Sequence, residues 1–326
     1  MTLWTKSYII EKLKINISKQ SGEKMQFKEL NIIPEILRAL SDEHYKIPTP
    51  IQEKAIPEVL SGHDIFGCAQ TGTGKTAAFA IPTLQLLINQ KDRKKNRNHI
   101  QALILSPTRE LALQIHESFL TYGKHTDIHS RVIFGGVSQH PQVEAMKQGT
   151  DVLVATPGRL IDLINQGIVD LSHLKILILD EADQMLDMGF IRDIRKIIAK
   201  TPASRQTLLF SATLPKEIED MIKTILKNPI KIEVTPASST VAKIEHYLIY
   251  AEKDQKVDIL IKRLKNKSMD SVLVFTRTKH GADKLVRKLI KAKISALAIH
   301  GDKSQGARQL ALEQFKNKKI RVLIAT

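Results

Sequence analysis

From residue 64 onward the chain alternates short runs of Ile, Leu and Val with longer amphipathic stretches, and this pattern constrains the fold more than any other feature. Candidate strands are residues 64–68, 100–106, 131–134, 151–155, 174–179 and 206–210. Helical periodicity fills 75–89, 109–122, 158–165, 190–199 and 215–226. The apolar runs are nearly continuous instead of alternating with polar residues, which is how strands buried on both faces read. Strand–helix units repeated in this way predict an α/β fold, a parallel sheet with helices on both faces.

A break is expected over residues 228–241, where Pro229 and Pro236 precede the small polar run 237–240. The pattern then resumes with strands at 244–250, 271–275, 294–299 and 320–325, and helices at 254–265, 280–290 and 305–315. The chain's 326 residues suit about two domains. The expected division is 1–24 as an N-terminal extension without fixed structure, 25–230 as the first domain, 231–241 as a linker and 242–326 as a partial second domain.

Charge narrows the class of partner. Fifty Lys plus Arg against thirty-four Asp plus Glu give a formal net charge of +16, a balance suited to a polyanion. Cys68 is the only cysteine, so an intramolecular disulfide and a thiolate zinc site are excluded, in keeping with a reducing cytoplasm. No apolar stretch reaches the roughly 20 residues that span a bilayer.

The segment Ala69-Gln70-Thr71-Gly72-Thr73-Gly74-Lys75-Thr76 follows one expected strand and opens the next helix, the setting a phosphate-binding loop needs. Its glycines allow backbone N–H groups to turn toward phosphate oxygens, and the helix N-terminus adds a favourable dipole. Lys75 is placed to reach the β and γ phosphates and the Thr76 hydroxyl to ligate Mg²⁺. Ala69 stands where the usual pattern has its first glycine. Asp180-Glu181-Ala182-Asp183 follows the apolar run 176–179, and carboxylates at strand ends face the ligand side of an open α/β sheet. There Asp180 suits a largely hydrated Mg²⁺ and Glu181 suits orienting and deprotonating a water. Upstream, Phe27 offers an aromatic face and Gln52 an amide, the two elements that read a purine.

The ordered set Phe27, Pro48-Thr49-Pro50-Ile51-Gln52, the phosphate loop, Pro107-Thr108-Arg109-Glu110-Leu111, Gly135-Gly136, Thr156-Pro157-Gly158-Arg159, Asp180-Glu181-Ala182-Asp183 and Ser211-Ala212-Thr213 resembles the DEAD-box RNA helicases. The literal Asp-Glu-Ala-Asp gives that family its name, and the resemblance runs from about Met25 to Thr326. Asp187-Met188-Gly189-Phe190, the segment 274–282 and the segment 300–308 resemble the bacterial RhlE-type subgroup.

The resemblance implies a P-loop NTPase of RecA-like type followed by an incomplete second RecA-like domain. It implies ATP and Mg²⁺ as cofactors, with Phe27 stacking on adenine, Gln52 bonding its edge, and Ala69, Gln70, Thr71, Gly72, Thr73, Gly74, Lys75 and Thr76 holding phosphates. Lys75, Asp180 and Glu181 are the expected catalytic residues, with Ser211 and Thr213 coupling nucleotide state to RNA separation. RNA is expected along Pro107, Thr108, Arg109, Glu110, Gly135, Gly136, Thr156, Pro157, Gly158 and Arg159, then along Arg277, His300, Gly301, Gln305 and Thr326. The implied activity is local unpairing of RNA duplexes, driven by ATP and RNA together favouring a closed state of the two domains. Backbone and 2′-OH contacts make such a grip independent of base sequence. A DNA-directed motor is disfavoured only by the resemblance.

Two departures stand out. Met25 is a plausible initiator, which leaves residues 1–24 as an extension. After Thr326 a family member continues into a motif whose arginines face the γ-phosphate, and such arginines contribute roughly 10³–10⁵ in rate. The resulting expectation is a chain that binds ATP–Mg²⁺ but hydrolyses and unwinds poorly, or a non-catalytic ATP-gated RNA-binding fragment.

Overall fold

The structure, a computed structural model, describes residues 25–70, 72–89, 99–234, 245–266 and 269–326. The expected N-terminal extension, Thr71 and most of the expected linker lie outside the described residues. Two compact units result, divided in sequence after residue 237, with the short stretch 136–138 grouped with the second.

The first unit is built on seven strands: β1 (Ile65–Cys68), β2 (Ala102–Leu105), β3 (Ser130–Ile133), β4 (Val152–Ala155), β5 (Ile176–Leu179), β6 (Gln206–Ser211) and β7 (Ile230–Glu233). They form one sheet in the order β3-β4-β2-β5-β6-β1-β7, parallel throughout. Side chains alternate between faces with the period of two that a strand imposes, and both faces are apolar. Ile104, Val154, Ile178 and Phe210 enter one core cluster, while Leu103, Leu153, Leu177 and Leu209 enter the other.

Helices cover each face. The first core takes Ile36 of α1 (Pro34–Asp42), Ile51 of α2 (Pro50–Leu60), Phe79 of α3 (Lys75–Ile88) and Ile115 of α4 (Arg109–Tyr122). The helix α5 (His140–Lys147) follows β3 and buries none of its residues fully. The second core takes Leu160 of α6 (Pro157–Asn165), Met185 of α7 (Ala182–Asp187), Ile194 of α8 (Ile191–Ile198) and Ile218 of α9 (Lys216–Ile225).

The second unit holds β8 (Val272–Phe275), β9 (Ala296–Ile299) and β10 (Val322–Ala325) in the parallel order β8-β10-β9. Its helices are α10 (Lys256–Leu264), α11 (Lys279–Lys291) and α12 (Gln305–Lys316). Leu264, Leu285, Leu289, Val322 and Ile324 form its main core.

Two sequence expectations are corrected. The sequence pattern puts residues 230–233 at the break and in the linker, yet they form β7, paired with β1 in register Ile65↔Ile230. Lys231 and Glu233 hide this strand because an edge position lets every second residue face water. The run 244–250 reads as a strand, but residues 245–250 join no ladder, and Tyr247, Leu248 and Tyr250 are 73–89% exposed.

Candidate functional site

The parallel register lines up the C-terminal ends of the strands: Cys68 pairs with Ser211, and Leu105 with both Leu179 and Ala155. The loops that leave those ends therefore open on one edge of the sheet. The strand order divides them into two groups. Loops after β1, β5 and β6 carry the phosphate loop, the acidic motif and Ser211–Thr213. Loops after β2, β4 and β3, which are neighbours in the sheet, carry Pro107–Glu110, Thr156–Arg159 and Gly135–Gly136.

The phosphate loop is tied down at both ends. Ala69 N–H donates to the Ser211 carbonyl (3.1 Å) and Thr73 Oγ1 donates to the Gln70 carbonyl (2.8 Å). Gly72 and Gly74 adopt φ of +81° and +92°, which side chains with a Cβ resist. Gln52 sits 6% exposed in α2; its Oε1 accepts from Thr49 N–H (2.9 Å) and its Nε2 donates to the Gly74 carbonyl (3.0 Å). One hydrogen of that amide remains beyond these two bonds. Phe27, expected as a stacking platform, is 4% exposed and packs in the first core cluster.

Lys75 is the most telling residue. It opens α3, is buried, and its Nζ has no hydrogen-bond partner among the described residues. A buried ammonium without a partner is costly unless an anion satisfies it. The half-buried Thr76 follows on the same turn.

Asp180, directly after β5, is 2% exposed and accepts from Glu181 N–H (3.1 Å). Burial, opposed by the nearby Lys75 and reinforced by Glu181 and Asp183, pushes its carboxyl up to about 6. Glu181 has φ +53°, a left-handed conformation uncommon for such a residue and typical of functional strain. Burial also raises its carboxyl above the ordinary value, with Lys75 again opposing.

Asp183 behaves differently. Burial pulls its carboxyl upward, but hydrogen bonds from Thr213 Oγ1, Thr213 N–H and Gln184 N–H hold it below the usual range. Ser211 Oγ donates to the Thr213 carbonyl (2.7 Å). Sequence alone gives Asp183 no role of its own; its signal is a carboxylate one helical step beyond Glu181, facing a threonine it precedes by 30 residues.

Among the residues expected to meet RNA, Thr108 caps α4 by accepting from Leu111 N–H (3.2 Å), and Thr156 occupies the N-cap of α6 with Pro157 after it. Arg159 stands 4.0 Å from Asp162. Gly135 and Gly136 follow Phe134, whose N–H and C=O are both held by the Gln142 amide (2.9 and 3.1 Å). That clamp has no sequence signal. In the second unit Arg277, His300 and Thr326 follow β8, β9 and β10, so they too share one strand-end edge. His300 is buried 3.2 Å from Asp283, and Gln305 accepts from Arg308 (3.0 Å).

A Gly-rich loop ending in a buried lysine, facing two strand-end carboxylates on a parallel sheet, defines a P-loop nucleotide-binding protein of RecA-like type. The chain belongs to the DEAD/DEAH box helicase family, whose profile matches residues 49–221, and the profile of the helicase conserved C-terminal domain matches residues 255–326. It is 41% identical over 302 residues to the ATP-dependent RNA helicase CshA of Limosilactobacillus reuteri, covering 93% of this chain and 60% of that protein. It is 38% identical over 314 residues to the DEAD-box ATP-dependent RNA helicase RhpA of Helicobacter pylori (strain B128), covering 96% and 62%. The chain thus spans about three fifths of the length of these curated relatives.

Two solved structures are similar. A DEAD box protein from the hyperthermophile Methanococcus jannaschii matches with TM-score 0.61 and 39% identity, covering 94% of this chain and 81% of that one. A variant of Dbp5 from S. cerevisiae bound to RNA and ADP BeF3 matches with TM-score 0.80 and 31% identity, covering 92% and 75%. Among the described residues no helix is long and apolar enough to cross a membrane.

Proposed function

We propose that this chain acts as an ATP-dependent RNA helicase of the RhlE-like kind in the cytoplasm, using one domain through residue 234 and a second from about residue 245. The observation that carries the reading is the buried, unpartnered Lys75 ammonium beside Asp180 and Glu181. Lys75 and the N–H groups of the loop bind the β and γ phosphates. Gln52 bonds the adenine edge with its remaining amide hydrogen while holding Gly74, and Phe27 supplies apolar support to the base.

The donor set fits Mg²⁺: a hard cation takes carboxylate and hydroxyl oxygens with several waters, and a nearby positive charge relieves the cost of ionising the buried Asp180 carboxyl. Asp180 and Thr76 would hold it. Held there, it would supply positive charge to offset the charge that develops at the γ-phosphate. Glu181 orients the attacking water and takes its proton at a carboxylate oxygen, a role its raised basicity favours. Asp183 and Thr213 join the acidic motif to the loop after β6, so that a change at the nucleotide is felt beyond it.

RNA runs over the loops after β2, β4 and β3, where Arg109 and Arg159 meet phosphates and the helix N-termini at Thr108 and Thr156 add donors. In the second unit Arg277, His300, Gly301, Gln305 and Thr326 take part. Affinity is expected to fall steeply with salt and to be indifferent to base sequence.

A multiple-turnover ATPase assay with single-stranded RNA and DNA of equal length tests this. Hydrolysis stimulated by RNA, not by DNA, and abolished by Glu181→Gln supports the helicase reading. ATP-dependent RNA binding with no turnover makes the chain a gated RNA binder instead, and equal stimulation by DNA overturns the choice of RNA.

A further inference from the structure

At the other end of the same sheet lies a cleft that none of the chemistry above uses. It has a volume of about 250 Å³ and is bordered by His99, Gln101, Ser172, His173, Lys175 and Ser204, together with Leu174 and Pro202. These residues precede β2, β5 and β6, the strands whose far ends carry Thr108, Asp180 and Ser211. With strands of four to six residues, the two ends are separated by roughly 13–20 Å of strand.

Gln101 is the anomaly there. Its main chain is fully engaged: its N–H donates to the Asp151 carbonyl (2.9 Å) and its carbonyl accepts from Lys175 N–H (2.8 Å) and Ile176 N–H (3.0 Å). Its side chain is 1% exposed, yet neither Nε2 nor Oε1 has a hydrogen-bond partner among the described residues. A buried amide left unsatisfied costs about 1–3 kcal/mol, so the fold keeps an unpaired donor and acceptor side by side just inside the cleft wall, within reach of a ligand once the wall side chains shift.

Beside it is a flat aromatic surface. The His99 and His173 rings stack with centroids 3.8 Å apart and planes at 23°. The His173 ring is also oriented: Ser172 Oγ donates to Asp170 Oδ2 (2.7 Å) and lies 2.9 Å from His173 Nδ1, so the hydroxyl oxygen accepts from Nδ1–H. Charge is modest. Among the described residues Lys175 is the only Lys or Arg on the cleft wall, and the Asp170 carboxylate stands behind Ser172. A free anion is poorly served by that arrangement, whereas a planar heterocycle with adjacent donor and acceptor atoms meets both the amide and the rings.

We propose that this cleft is an accessory pocket for a single unpaired nucleobase, paired edge-on with the Gln101 amide and stacked against the His173–His99 rings. Lys175 then meets the phosphate on that nucleotide's sugar. Its volume suits one ring system and excludes a duplex. RNA as the natural source of that base rests on the RNA-binding reading above; the chemistry of the pocket does not.

The test titrates the isotope-labelled 326-residue chain with uridine, cytidine, adenosine and guanosine, observing the Gln101 side-chain amide and the His99 and His173 ring signals by NMR. At least one nucleoside is expected to shift all three saturably, with affinity reduced about fivefold or more in Gln101→Leu and in His173→Ala, the loss of one stacked base. Gln101→Leu should fold at least as well as the parent, because it removes an unsatisfied buried amide, and the exposed His173 provides an independent variant. If no nucleoside moves these signals, or if both variants bind undiminished, the pocket is refuted. Anisotropy with a single-stranded RNA separates the two readings. RNA that binds the parent and Gln101→Leu equally counts against the pocket alone. Nucleosides that bind here while RNA binds nowhere support the pocket and refute the RNA reading.

Discussion

Thr213 directs both its backbone N–H (2.9 Å) and its Oγ1–H (2.8 Å) to the same oxygen of Asp183, joining the loop after β6 to the first turn of α7. The carboxylate is half-buried and held ionised by these bonds, so they are charge-assisted and stronger than neutral ones. Thr213→Val keeps the shape and removes the hydroxyl donor. Stability to urea should fall by about 1 kcal/mol, and stimulation of ATP hydrolysis by RNA should fall more than the unstimulated rate. A variant with wild-type RNA stimulation would show that this link carries no signal.

Asp180 predicts an unusual pH dependence. Its carboxyl is raised from 3.8 to about 6 in the fold, so between those values the folded chain binds more protons than the unfolded one. By linkage, this group's contribution favours folding at low pH and is lost as pH rises through about 6. A rise of that size corresponds to about 3 kcal/mol at most. Asp180→Asn should therefore gain stability over the parent at pH 8 and lose that advantage by pH 4, read from urea midpoints. Nucleotide-dependent activity should show the opposite trend in the parent, falling below pH 6 as the proposed metal-binding carboxylate protonates. A difference between the two proteins that is flat with pH would refute the burial argument.

Lys75 separates stability from binding. Its buried Nζ lacks a hydrogen-bond partner among the described residues, so Lys75→Met removes a desolvated charge while keeping most of the volume. The melting temperature without nucleotide should change little, because relief of the desolvated charge is offset by the loss of its attraction for Asp180 and Glu181. ATP with Mg²⁺ should raise the parent's melting temperature by mass action, and that rise should disappear in the variant. A calorimetric scan with and without nucleotide decides it; an undiminished rise would mean the phosphates do not rest on Lys75.

Continuous apolar runs make the central sheet readable, because strands covered on both faces leave no polar alternation to confuse them. The helix at Arg109–Tyr122 coincides with its expected span, where Thr108 supplies a recognisable cap. Ile230–Glu233 escapes notice because an edge strand buries only Ile230 and Ile232 against the core, and Pro229 reads as a breaker. Residues 245–250 show the converse: β-prone Tyr, Leu and Ile do not make a strand unless a neighbouring strand pairs with them. In the site, contiguous motifs announce the phosphate loop and the acidic cluster. The bonds Gln52–Gly74 and Thr213–Asp183 do not announce themselves, since they join residues 22 and 30 apart through the folded sheet.

Gly74 offers the sharpest check on how the phosphate loop is held. Its φ of +92° costs a residue with a Cβ about 1–2 kcal/mol. A methyl there would also collide with Gln52 Nε2 and come within 2.9 Å of Thr49 Oγ1. Gly74→Ala should therefore lose about 2 kcal/mol or more and most of its nucleotide-induced stabilisation, because the Gln52 amide is driven off the Gly74 carbonyl. Removing the obstacle should recover part of the loss. In a Gln52→Ala background the same glycine substitution is expected to cost less, leaving the strain of the backbone and the approach to Thr49 Oγ1. A double-mutant cycle read by urea unfolding measures the coupling, with contacting residues typically giving about 0.5–3 kcal/mol. Strictly additive costs would show that the Gln52 amide and the loop are mechanically independent, and the amide could then not report adenine to the phosphate site.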